Sequence, residues 1–99
     1  MTIKDVLLKF KHGEYADIEV YRPRNTGDFY PDCFHTDNCD VLSADAPAGN
    51  YTENMEIGFY GLLSEREYNA TLLVNSETIA DFEDWYGDKN AKVLCIMIK

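Results

Sequence analysis

No stretch of this chain approaches the roughly 20 consecutive apolar residues that a membrane-crossing helix needs, so a helical span is not expected. Nor is there a signal-like apolar segment before the first polar residues, and the 3 cysteines are an odd number. A secreted disulfide framework is therefore not expected, and a cytoplasmic thiol site is. Enzyme motifs are scarce: there is no Gly-rich phosphate loop, nucleophile elbow, dinucleotide fingerprint or helical His-Glu-x-x-His pattern. Ser43, Ser64 and Ser76 stand in no context that would activate a hydroxyl, so catalysis is not expected. Internal repeats and linkers are missing as well. The 99 residues suffice for one core, and a single domain over residues 1–99 follows.

Positive charge is the other scarcity, with 9 Lys and Arg against 18 Asp and Glu and a formal net charge of −9. Residues 1–24 hold Asp5, Glu14, Asp17 and Glu19 against Lys4, Lys9, Lys11, Arg22 and Arg24. Only Arg66, Lys89, Lys92 and Lys99 offset the acids of residues 25–99. Such a surface repels nucleic acid and anionic membrane and attracts a basic protein, though the same acidity also serves solubility alone. What remains is ordinary globular material, 45% hydrophobic and 13% aromatic. That composition is far from a disordered acidic tail.

The densest chemistry runs from Asp32 to Asp40, where Cys33, His35 and Cys39 stand among Asp32, Asp37 and Asp40. Thiolate and imidazole are preferred Zn²⁺ ligands, and Cys-x-His-x₃-Cys lets one loop wrap three donors around a tetrahedral ion. Cys33, His35, Cys39 and Asp40 are the expected metal set. Asp32, Asp37, His12, Cys95 or water are alternatives to Asp40 as fourth ligand. A closed set of four protein donors would make the zinc structural, since catalysis needs an open position. The competing reading has Cys33 and Cys39 as half-buried thiols or a disulfide and His35 as a surface imidazole. A Cys33 thiolate nucleophile beside His35 is a further, weaker alternative.

Periodicity orders the rest. Thr2 and Asp5 form a capping pattern ahead of Ile3, Val6, Leu7 and Phe10, a single helical stripe, with Lys9, Lys11 and His12 at its negative end and Gly13 to stop it. Asp17–Tyr21 alternates around Ile18 and Val20 as a strand that Arg22, Pro23 and Arg24 end. Residues 25–52 show little regular periodicity and read as a long polar insert, which a metal would staple. Asn54–Gly61 alternates again, with Met55, Ile57 and Phe59 on one face. Ser64 opens a helix with Leu63, Tyr68 and Leu72 along one side. Thr78 and Asp81 cap a second helix carrying Ile79, Phe82 and Tyr86, and Gly87 stops it. Residues 93–98 are apolar on both faces and should be central. The expected fold is α+β: a small, mainly antiparallel sheet of three or more strands, helices packed on one face, and a long metal-stapled loop.

Aromatics beside acids suit docking on a basic surface. Phe59, Phe82 and Trp85 are expected in the core, and Tyr30, Phe34 and Tyr51 as exposed anchors.

The opening Met1-Thr2-Ile3-Lys4-Asp5-Val6-Leu7, the central Glu67-Tyr68-Asn69, and the closing Tyr86-Gly87-Asp88 with Val93-Leu94-Cys95-Ile96 look like small acidic proteins of phages and mobile elements. Taken with Cys33, His35 and Cys39, the chain resembles anti-CRISPR proteins directed at type II Cas9 effectors, among them zinc-containing ones. That resemblance implies a cytoplasmic inhibitor in a bacterial host cell that binds Cas9 or its guide-RNA complex and blocks target-DNA loading. Cas9-type effectors hold nucleic acid in positively charged channels, which an acidic protein can approach. The family shares no site motif. The expected contacts are therefore the insert's own Asp28, Asp32, Asp37, Asp40 and Asp45, with Tyr30 and Phe34. Two other classes stay open: a zinc-stabilised accessory or regulatory protein with another host partner, and a small metal-dependent or thiol enzyme.

Overall fold

Thr2 and Asp5 close a reciprocal cap: the Thr2 N–H donates to Asp5 Oδ2 at 2.8 Å, and the Asp5 N–H donates to Thr2 Oγ1 at 3.4 Å. This starts helix α1, Ile3–Lys9, in a computed structural model that describes residues 1–11, 13–24, 33–34, 39–43, 53–74, 82–88 and 90–99. The expected stripe is borne out, with Ile3 and Val6 buried and Leu7 and Phe10 packed beside them. Gly13 then turns the chain at φ +99, a conformation that carries little penalty only for glycine.

Four strands follow: β1 Asp17–Pro23, β2 Cys39–Ser43, β3 Ile57–Leu63 and β4 Val93–Ile98. Helices α2, Glu65–Val74, and α3, Phe82–Tyr86, lie between β3 and β4. The sheet order is β2-β1-β4-β3, with β1 and β4 parallel and the two outer pairings antiparallel. As its composition demands, β4 is central, and all six of its residues are buried. Each such aliphatic side chain contributes roughly 1.5–3 kcal/mol relative to exposure.

Three expectations need correction. Helices cover both faces of the sheet rather than one. α1 packs with Leu94, Ile96 and Ile98, while Tyr68 and Leu72 of α2 and Phe82 of α3 pack with Val93, Cys95 and Met97. A strand apolar on both sides must be covered on both sides. Second, the insert contains strand β2, whose residues pair with Val20–Pro23. Of the residues expected to staple the insert with a metal, Asp32, His35 and Asp37 lie outside the described residues, among which no group of three His, Cys, Asp or Glu that could hold a metal ion forms. Third, Met55, Ile57 and Phe59 do not share a face. The pairing of β3 with β4 shifts register between Ile57 and Phe59. A two-for-one irregularity of this kind inverts the alternation beyond it. Ile57 therefore joins α1, Phe59 joins the side of α2 and α3, and Tyr60 and Leu62 return to α1.

Among the described residues no helix is long and apolar enough to cross a membrane.

Candidate functional site

On β1, Ile18 and Val20 face α1, which turns Glu19 and Tyr21 to the side of α2 and α3. Glu19 is 5% exposed and is the one buried charged or polar side chain among the described residues. A carboxylate taken out of water needs donors, because its desolvation costs several kcal/mol otherwise. Three phenols supply them. Tyr21 donates its hydroxyl to Glu19 Oε2, Tyr86 donates to Oε1, and Tyr68 lies 2.9 Å from Oε1 and 3.2 Å from Oε2. The Tyr86 and Tyr68 hydroxyls are themselves 3.2 Å apart.

Each phenol comes from a different element, so one carboxylate ties β1 to α2 and α3. Burial, and then the Glu19 charge and its hydrogen bonds, push all three hydroxyls well above the ordinary tyrosine range. They stay protonated and remain donors. Beneath them Cys95 pairs with Glu19 across the parallel β1–β4 ladder. Burial and the Glu19 charge raise its thiol likewise. Its thiol packs in the core with Tyr21, Phe82 and Met97.

Rings complete the cluster. Tyr68 stands edge-on to Phe82 and Tyr86 at centroid distances of 5.7 and 5.8 Å, and Phe82 lies 4.7 Å from Tyr86. Phe82 and Tyr86, four residues apart, thus take the inward face of α3. Trp85 is left at its margin, 62% exposed, rather than in the core as expected. Glu83, Asp84 and Asp88, within three residues of it, are exposed. Beyond Tyr86 the surface dips into a cleft of about 460 Å³, walled by Glu14, Tyr15, Leu62, Tyr86, Asp88 and Lys92 among others.

The sequence-expected site residues fall differently. Cys33 is half-buried, and its thiol points at the Thr71 carbonyl at 3.9 Å. The buried Cys39 donates to the Phe34 carbonyl at 2.8 Å. No disulfide joins them. Asp40 is held by Arg24, 2.7 Å away, with Arg22 at 4.0 Å. The hydrogen bond from Arg24 keeps its carboxyl below the usual range. Phe34 corrects the expectation of an exposed anchor: it is 6% exposed and packs on Tyr21 and Phe59 at 5.4 and 4.9 Å. His12, Asp28, Tyr30, Asp32, His35, Asp37, Asp45 and Tyr51 lie outside the described residues.

Sequence reasoning passed over the Glu19 cluster altogether. A signal was present in Glu19 and Tyr21, two apart on one strand face where an aromatic must be covered. Its remaining partners, 49 and 67 residues away, carry no local mark.

No family model matches this chain, and no curated protein or solved structure matches it. The fold and site by themselves define a small α+β protein with a mixed four-stranded sheet, a buried carboxylate held by tyrosines, and an acidic exterior.

Proposed function

We propose that the protein works by binding a basic protein partner, and that it is an inhibitor of a Cas9 effector of the kind its sequence resembles. The observation that supports this reading is the charge: −9 overall, with every described acid except Glu19 at least partly exposed. Acids on the outside of a small rigid sheet steer and orient a basic surface at low cost in ordering. The Cas9 assignment rests on the resemblance alone. A structural zinc is a separate proposal, resting on the Cys33, His35 and Cys39 spacing.

The test is a reconstituted Cas9–guide RNA complex mixed with the purified protein before target DNA is added. Stoichiometric loss of DNA binding and cleavage, weakening as salt rises, is the expected result. Unchanged cleavage with no detectable complex removes the Cas9 reading.

A further inference from the structure

Tryptophan at interface centres carries binding energy out of proportion to its number. Trp85 is 62% exposed, and its helix is fixed from below by buried Phe82 and by the Tyr86 hydroxyl on Glu19. The indole therefore stands on a preorganised base, which lowers the cost of binding. Its ring lies 6.3 Å from that of Tyr86, on the wall of the cleft.

The charge beside it selects the occupant. Glu83, Asp84 and Asp88, all exposed, lie within three residues of Trp85 in the chain, and the neighbouring cleft is lined by Glu14 and Asp88 against Lys92 alone among its described residues. An aromatic face attracts cations, and a planar guanidinium stacks on it while offering hydrogen bonds to flanking carboxylates. An ammonium group matches the charge but not the plane. We propose that Trp85, with Glu83, Asp84 and Asp88, is a docking surface for an arginine-rich segment of a partner protein, which extends along the cleft wall past Tyr86. This deepens the reading of the protein as a binder of basic partners and rests on it.

The chain has a single tryptophan, so indole fluorescence reports this surface directly. Fluorophore-labelled nona-arginine and nona-lysine peptides are titrated into the protein, following Trp85 emission and peptide anisotropy together. The expected result is a saturable change in Trp85 emission with nona-arginine and affinity at least about tenfold above that for nona-lysine. Trp85→Ala should weaken nona-arginine binding at least about tenfold by anisotropy. The Glu83→Gln/Asp88→Asn pair should weaken it too, both variants melting as the wild type does. Anisotropy that rises without a Trp85 signal and survives Trp85→Ala overturns the surface and leaves the basic-partner reading standing. No binding of nona-arginine overturns the surface as well, and the Cas9 assay then decides the wider reading independently. A Trp85→Phe variant guards against a folding artefact: it keeps an aromatic face and should retain part of the affinity that Trp85→Ala loses.

Discussion

Tyr86 of α3 donates its hydroxyl to the Glu19 carboxylate of β1, across 67 residues of sequence. The bond joins a short helix to the middle of the sheet. Charge-assisted bonds of this sort are about twice as strong as neutral ones, and losing one partner strands the other in a dry site.

Removing the carboxylate should therefore cost more than removing any one phenol. Glu19→Leu removes the acceptor shared by Tyr21, Tyr68 and the half-buried Tyr86 and should destabilise the fold by more than about 3 kcal/mol. Tyr86→Phe keeps the ring contacts with Phe82 and Tyr68 and should cost about 1–2 kcal/mol. Urea unfolding followed by circular dichroism measures both. Equal midpoints for Glu19→Leu and wild type would show that the cluster does not hold the elements together.

Alkali should unfold the protein sharply. Tyr21, Tyr68, Tyr86 and Cys95 all have native pKa values raised above their ordinary 10.0 and 9.0. Their contribution is complete below about pH 8, about a unit under the lowest unfolded value. As pH rises beyond the unfolded values, the unfolded chain gives up protons that the native state retains, so stability falls. Each such group subtracts up to about 1.4 kcal/mol per pH unit. Tyrosinate absorbance should show a late step that coincides with unfolding, and Tyr86→Phe should flatten the dependence. Complete tyrosine titration in a still-folded protein would contradict the cluster.

Gly87 ends α3 at φ +82, and its N–H closes on the Glu83 carbonyl at 2.7 Å. A Cβ there would meet no atom within 4 Å. Gly87→Ala should thus cost backbone strain alone, about 1 kcal/mol. A stabilised Gly87→Ala variant would show that the turn is not left-handed.

Metal content decides the zinc proposal. Elemental mass spectrometry of untagged protein should find about one zinc per chain, and its chelation should lower the melting temperature. Protein without metal, melting alike with and without chelator, removes zinc and leaves Cys33 and Cys39 as thiols bonded to main-chain carbonyls.

Local rules carried much of the architecture. The Thr2–Asp5 box, the Ile3–Phe10 stripe and the two-faced run of residues 93–98 are each written within a few residues, and each forms as read. What escaped depends on distant partners. Strand β2 is five residues long and becomes a strand only by lying against β1. The slip between Ile57 and Phe59 is set by pairing with β4, so alternation alone misplaces Phe59. Glu19 looks like a solvent-facing polar residue until α2 and α3 close over it. Trp85 looks like core until Phe82 and Tyr86 occupy the inward side of a helix little more than one turn long.

The position of β4 has a consequence for how the chain is made. The strand between β1 and β3 in space is the last of the four to leave the ribosome. Until it does, β1 and β3 have no common partner, and Ile18, Val20 and Tyr21 lack the Val93–Ile98 side chains that pack beside them. Closing that parallel pairing joins residues some 75 positions apart, such as Ile18 and Leu94, the kind of long-range step that slows folding. Until β4 is in place the sheet lacks the strand that joins β1 to β3, so its two halves close on each other only when that central strand inserts.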